Sequence, residues 1–284
     1  MICKIIADAG SSKTDWALTD MQGAEIKRFS TQGLNALLSN ADEIEASLRC
    51  VTSQIPDGHT VKEVYYYGAG CATAEINEKM RCALAAALHA DTVNVESDLL
   101  GAARSLLGHG RGIACILGTG SNSCLYDGQR IVENIPSLGY ILGDEGSGAA
   151  IGKRLLSDAL KGRLPKDVTA NLLGKYDLTL AEVLNRVYRM PAPNKFLASL
   201  VPFVHEQLSN PYVYTMARDE FKRFLVRNVS SYSGARRLPI CFTGSVAYHF
   251  REVIEEAVTD LGLKIGLIEA HPLDGLVQYH GFKI

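Results

Sequence analysis

The chain opens on a short apolar, β-prone run, Ile2-Cys3-Lys4-Ile5-Ile6-Ala7, which gives way to the polar stretch Asp8-Ala9-Gly10-Ser11-Ser12-Lys13-Thr14-Asp15. A second apolar run, Trp16-Ala17-Leu18, ends at Thr19-Asp20; the turn Met21-Gln22-Gly23 then leads into residues 24–29. Short apolar runs bounded by Gly, Ser and Asp predict strand, tight turn, strand, turn, strand. Beyond them, the spacing predicts helices over 41–53, 74–89 and 99–107, and strands over 61–67 and 92–96. Gly108-His109-Gly110 marks a boundary, and then the opening pattern returns. A strand over 112–117 meets the polar turn Gly118-Thr119-Gly120-Ser121-Asn122, a strand over 123–126 meets Asp127-Gly128-Gln129, and a third strand covers 130–135. Ala9-Gly10-Ser11-Ser12 falls on Thr119-Gly120-Ser121-Asn122, which makes the second series an internal repeat of the first.

The second half is mostly helical. Helices are predicted up to residue 160 and over 180–189, 195–208 and 212–229, with Pro191, Pro193 and Pro211 as breakers. A strand over 238–242 ends in Thr243-Gly244-Ser245, a helix runs to 261, a strand covers 264–268, and the last helix covers 272–279.

Composition narrows the function classes. With 284 residues, 47% apolar, the chain is long enough for two domains with full cores. A net charge of −2 gives no electrostatic case for nucleic acid or an anionic membrane. No apolar run approaches the roughly 20 residues of a membrane span, and Lys4 and Asp8 interrupt the first segment as a signal peptide. Seven scattered cysteines without a Cys-x-x-Cys pair are expected to be reduced thiols of a cytoplasmic protein. The seven histidines show no metal-ligand spacing, and Tyr65-Tyr66-Tyr67 reads as strand packing.

The Gly-Ser tip after Asp8 fits two descriptions. It is an ordinary polar hairpin, or it is a nucleotide grip in which amides approach phosphates and Asp8 holds a hydrated Mg²⁺. No Walker-type phosphate loop is present, and Gly68-Ala69-Gly70 lacks the third Gly and acidic partner of a dinucleotide fingerprint. Asp98, where a strand turns into a helix, is a general base for a substrate hydroxyl, or else Asp98 or Ser97 simply caps the helix. Gly143-Asp144-Glu145-Gly146-Ser147 starts a helix with two acids flanked by glycines, more than a helix start requires, which points to substrate binding. Gly244-Ser245 serves as an N-cap or as backbone for an adenine ring.

Taken together and in this order, these motifs resemble those of the N-acetylglucosamine kinase and BadF/BadG/BcrA/BcrD-type ATPase family. Asp8-Ala9-Gly10-Ser11-Ser12-Lys13-Thr14-Asp15 resembles its first phosphate motif and Leu117-Gly118-Thr119-Gly120-Ser121-Asn122-Ser123 its second. Cys241-Phe242-Thr243-Gly244-Ser245-Val246-Ala247 resembles its adenosine motif. The resemblance implies an α/β protein of duplicated ribonuclease H-like (actin-like ATPase) βββαβαβα domains with a cleft between them. Residues 1–108, completed by the helix 272–284, would form one domain, and 109–271 the other, with a helical insertion. It further implies ATP and Mg²⁺ as cofactors, a small-molecule sugar as substrate and a homodimer. Asp98 would be the catalytic base and Asp8 the metal site. Gly10, Ser11, Ser12, Lys13, Thr14, Gly118, Thr119, Gly120, Gly244 and Ser245 would bind the nucleotide. Asn35, Ser121, Asn122, Gly143 and Asp144 would lie near the sugar. The implied reaction is phosphorylation of an amino sugar, at O6 of N-acetylglucosamine or on N-acetylmuramic acid. The alternatives are an ATPase that activates a radical dehydratase or reductase, with Cys124 its one nearby thiol, and a non-catalytic nucleotide- or sugar-sensing module.

Overall fold

Strand β1 (Ile2–Ala9) is apolar almost throughout because its alternate residues serve two different helical layers. Ile5 and Ala7 face the core that holds Trp16, Leu18, Val64 and Tyr66, whereas Ile6 joins Ala17, Tyr67, Leu273 and Leu276 on the other face. The structure, a computed structural model, describes residues 1–10 and 13–281, so the sequence readings at Ser11 and Ser12 lie outside the described residues. After β1 come β2 (Lys13–Asp20), β3 (Glu25–Gln32), α1 (Ala41–Ser53), β4 (Thr60–Gly68), α2 (Ala74–Leu88), β5 (Thr92–Ser97) and α3 (Asp98–Leu107). This is the βββαβαβα order read from the sequence. The strands form one sheet in the order β3-β2-β1-β4-β5, with β2 antiparallel and β4 parallel to β1.

Local chemistry fixes the ends of these elements. Asn40 Oδ1 accepts the Glu43 N–H at 2.9 Å, and the Glu43 carboxylate accepts the Asn40 N–H at 3.0 Å, a reciprocal cap that starts α1. Thr73 caps α2, and His89, expected as its last residue, instead sits beyond it at φ 51° as a left-handed stop. Trp16 stacks on Phe29 with ring centroids 6.3 Å apart, packing β2 on β3.

The second series repeats the first. It comprises β6 (Gly112–Leu117), β7 (Ser121–Tyr126), β8 (Ile131–Asn134), α4 (Gly139–Leu142), α5 (Gly148–Leu160), α6 (Lys166–Lys175), α7 (Leu180–Tyr188), α8 (Pro193–Ala198), α9 (Val201–Glu206), α10 (Pro211–Asn228), β9 (Pro239–Thr243), α11 (Ser245–His249), α12 (Arg251–Asp260) and β10 (Lys264–Glu269). The last helix, α13 (Leu273–Gly281), follows. Among the described residues the second sheet also has five strands, in the order β10-β9-β6-β7-β8, which is the first sheet's order repeated. Its core combines Ile113, Cys115 and Leu117 with Leu155, Phe221, Phe224 and Ile254 from the helices.

The single helix expected over 195–208 is two, α8 and α9. Pro202 stands in the first turn of α9; a proline has no N–H to give the preceding turn, so the chain restarts there. The helix expected up to 261 likewise breaks at Phe250 into α11 and α12. The chain divides into two units, the first made of residues 1–110, 128–130 and the segment from His271 on, the second of 111–127 and 131–270. Thus α13 packs on the sheet of the first unit. No helix among the described residues is long and apolar enough to cross a membrane.

Candidate active site

In the first unit, β1 and β5 run parallel on either side of β4, and each ends in an acid or its neighbour. Asp8 lies near the end of β1, and Asp98 begins α3 directly after β5. Both are half-buried. Asp8 is pushed up to about 7, first by burial, then by the negative charges of Asp98 and Asp15, with Lys13 opposing. Asp98 is also raised by burial, against the stabilising N–H of Leu99. The capping role open for Asp98 falls to Ser97, whose Oγ accepts the Leu100 N–H at 3.2 Å. Asp98 Oδ1 accepts its neighbour's N–H, Leu99, at 2.8 Å, and the carboxylate also meets its own backbone N–H.

The other predicted residues of this unit are spread more widely. Lys13 pairs with Asp15 at 2.7 Å. Thr14 is fully buried, and its hydroxyl has no hydrogen-bond partner among the described residues. The Gly10 N–H donates to the Lys13 carbonyl at 2.9 Å. Asn35 Oδ1 accepts the Leu37 N–H at 3.1 Å and lies against Gly70, so this atom holds its own turn.

In the second unit the predicted residues converge. The turn Gly118-Thr119-Gly120 is fastened to the start of α5: the N–H groups of Gly148 and Ala149 donate to the Gly118 and Thr119 carbonyls at 2.8 and 3.1 Å. Asp144 folds over the turn. Its Oδ1 accepts the Ser121 N–H at 3.2 Å, and a Cβ on Gly120 would stand 3.1 Å from its Oδ2. Asp144 is 8% exposed, holds φ at 55°, and is raised by burial against the Ser121 N–H. Gly143 touches the chain segment before α4, where a Cβ would overlap the Ser137 carbonyl. Asn122 Oδ1 turns back to accept the Ser123 N–H at 2.9 Å.

Gly244 joins this group from β9. Its φ is 106°, and a Cβ there would lie 2.4 Å from the Leu117 carbonyl oxygen. Gly244→Ala is therefore expected to cost roughly 2–4 kcal/mol, from backbone strain plus overlap. Urea unfolding checks this; an unchanged midpoint would mean that the backbone adjusts freely. Next to it, Thr243 Oγ1 is buried without a hydrogen-bond partner among the described residues. Ser245 begins α11 and is exposed.

Glu145 is the part of the site that sequence reasoning placed less well. It turns away from Asp144, pairing with Arg227 at 2.6 Å and accepting the Asn228 amide at 3.2 Å. Burial works to raise it but is outweighed by its own N–H, Asn228, Arg227 and Arg223, which leave it below the usual range. The same end of α10 holds β7: Ser123 Oγ donates to the Asn228 carbonyl at 2.7 Å and meets Tyr232 Oη at 2.9 Å. Glu145 and Gly143 also line a cavity of about 620 Å³ with Lys153, Arg154 and Glu220, whereas Asp144 does not line it. Cys124 is buried in β7 and pushed up to about 12, chiefly by burial, so it is a protonated thiol at neutral pH.

Two kinds of ligand fit these residues. Mg²⁺ takes one or two carboxylates and keeps several waters, which suits Asp8 beside Asp98 better than a closed protein cage would. Among the described residues no group of three or more His, Cys, Asp or Glu is placed to hold a metal ion. The 118–120 turn is open at Gly118, where a Cβ would meet nothing within 4 Å, so a phosphate can approach the backbone there, and the orphaned Thr243 hydroxyl lies at the end of the neighbouring strand.

No family model and no curated protein matches the chain. Among solved structures, it is 43% identical to a candidate N-acetylglucosamine kinase from Porphyromonas gingivalis, with 98% of each chain covered and a TM-score of 0.91. A second candidate N-acetylglucosamine kinase, from Chromobacterium violaceum, is 18% identical with a TM-score of 0.74, over 98% of this chain and 99% of that one. A ROK family glucokinase from Streptomyces griseus, solved with glucose and AMPPNP, is 16% identical with a TM-score of 0.58, over 98% and 97%. The last two share the fold.

Proposed function

The chain belongs to the N-acetylglucosamine kinase family of actin-like sugar kinases, and from that premise we propose that it transfers the γ-phosphoryl group of ATP to an amino sugar, at O6 of N-acetylglucosamine or on the related N-acetylmuramic acid. The observation that carries the reading is the pair Asp8 and Asp98, two mutually repelling, half-buried carboxylates at the carboxyl ends of parallel strands. A fold gains nothing from such a pair, whereas a phosphoryl transferase needs both a metal anchor and a base.

Asp98 accepts the proton of the attacking sugar hydroxyl. Burial raises its basicity, and the cap supplied by Ser97 leaves it available for that proton. Asp8 would hold the hydrated Mg²⁺, which would neutralise phosphate charge. The turns at Gly10-Lys13-Thr14 and Gly118-Thr119-Gly120 bind phosphates, and Gly244 and Ser245 bind the adenosine. Asp144 accepts from a sugar hydroxyl, with Ser121, Asn122, Gly143 and Asn35 around the sugar. Ser11 and Ser12 complete the first phosphate turn in this reading. We read residues 1–108 with 272–284, and 109–271, as the two ATPase-like domains.

The test is ADP release by the purified protein with MgATP, alone and with N-acetylglucosamine, N-acetylmuramic acid, glucosamine and glucose. One N-acetylated sugar should stimulate release strongly, with the phosphorylated position read by NMR. ATP hydrolysis that no sugar alters would overturn the kinase reading in favour of an ATPase that serves a protein partner.

A further inference from the structure

Tyr67, Arg104 and His280 come from β4, α3 and α13 and meet behind the sheet of the first unit. Arg104 Nη1 donates to Tyr67 Oη at 2.8 Å. A guanidinium only donates, so the tyrosine proton is left for His280 Nε2, also 2.8 Å away. The imidazole can accept it because burial, and then the charges of Arg104 and Lys4, push His280 down to about 3 and keep it neutral. Tyr65 stacks on the same imidazole, with ring centroids 3.8 Å apart. Lys4, almost fully buried, donates to the His280 carbonyl at 2.6 Å. The Arg104 guanidinium lies over the rings of Tyr67 and Tyr279, 5.7 and 5.2 Å from their centroids.

The cluster acts on the helix that carries Asp98. Residue 101 of α3 is glycine, and a Cβ there would stand 2.8 Å from Tyr67 Cβ, so helix and strand touch without a side chain between them. Three residues on, Arg104 is tied to the hydroxyl of that same tyrosine. α3 is therefore held to β4 at two successive turns and to α13 from behind, while the Asp98 carboxylate is held by backbone N–H groups of that same helix, its own and that of Leu99. Its place depends on where the helix sits.

We propose that Tyr67, Arg104 and His280 form a clamp that sets the seating of α3 and so positions Asp98 for proton abstraction. The proposal rests on reading Asp98 as the base. None of the three is a catalytic residue; each acts through the helix. A displacement of about 1 Å at a reacting group is enough to cost up to 10²-fold in rate.

Tyr67→Phe keeps the ring against Gly101 and removes only the hydroxyl that joins Arg104 to His280. It is expected to lower kcat roughly tenfold with the KM for ATP unchanged. The decisive comparison is the same substitution in an Asp98→Asn background. If Tyr67 works through Asp98, it should cause no further loss there. An equal loss in both backgrounds, or a wild-type kcat for Tyr67→Phe, would overturn the clamp. His280→Leu breaks the contact from the other side and should show the same drop, and His280→Gln, whose amide oxygen can accept from Tyr67, should recover most of it. These two serve if Tyr67→Phe does not fold, and a wild-type kcat for His280→Leu would equally sink the proposal. Asp98→Asn alone separates the two ideas: full activity would remove the base reading and the clamp with it, whereas an inactive Asp98→Asn beside a normal Tyr67→Phe would remove the clamp alone.

Discussion

Asp98→Asn is expected to reduce phosphoryl transfer by about 10²–10⁴-fold while the protein stays folded and still binds ATP. The two halves of this expectation have separate causes. The rate falls because an amide cannot accept the hydroxyl proton. The fold survives because the helix cap belongs to Ser97, and because the Leu99 N–H that Asp98 accepts at 2.8 Å can be accepted equally by an asparagine oxygen. Removing the charge also relieves Asp8, which Asp98 pushes upward. Tm should therefore be unchanged or slightly higher. Sugar-stimulated ADP release, calorimetric ATP binding and a melting curve on the same preparation decide the matter. Wild-type turnover would show that Asp98 is not the base; a collapsed melting curve would show that its role is structural.

Asp8→Asn should separate activity from stability more sharply, with opposite signs. Asp8 titrates at about 7 in the fold, against about 4 in an unfolded chain. Between those values the folded state binds the extra proton, so stability falls as pH rises from about 4 to 7 and stays low above that. This is the reverse of a carboxylate held by a salt bridge. In metal-free buffer at pH 8, Asp8→Asn should melt several degrees above wild type, and at pH 4 the difference should vanish. Mg²⁺ should raise the wild-type Tm at pH 8 and leave the variant's in place, while transfer in the variant drops by two orders of magnitude or more. A variant that melts at or below wild type at pH 8 would mean that Asp8 is not a site of electrostatic strain.

Much of this fold is legible in the sequence because its devices are local. The hairpins announce themselves through Met21-Gln22-Gly23 and Asp127-Gly128-Gln129, and the placement of Ala9-Gly10 on Thr119-Gly120 captures a duplication that reappears as two sheets of one strand order. Tyr65-Tyr66-Tyr67 is strand packing, with Tyr66 in one core and Tyr67 in another. Where the sequence fell short, the determinant lies far along the chain or between neighbouring atoms. Nothing near Glu145 signals that Arg227 and Asn228 will claim it. Asn35 turns its carbonyl on Leu37, a choice among rotamers that residue type does not encode. Tyr67 and His280 are 213 positions apart, so their contact has no trace in any local pattern. Asp98 and Ser97 are both legible as capping candidates at a strand-to-helix junction, but that the serine takes the cap and frees Asp98 from it is decided by side-chain geometry.

The seating of α13 on the first sheet has a consequence for how the protein is made. On the ribosome, β1 to β5 emerge first, yet the face formed by Ile6, Ala17 and Tyr67 waits for Leu273 and Leu276 of α13, which are made only after the whole second unit. Throughout synthesis of the whole second unit that face stays open to water and to holdase chaperones, and buried Lys4 lacks the carbonyl that will receive it. A chain that stops short of α13 would thus present an apolar patch of the kind that holdase chaperones bind.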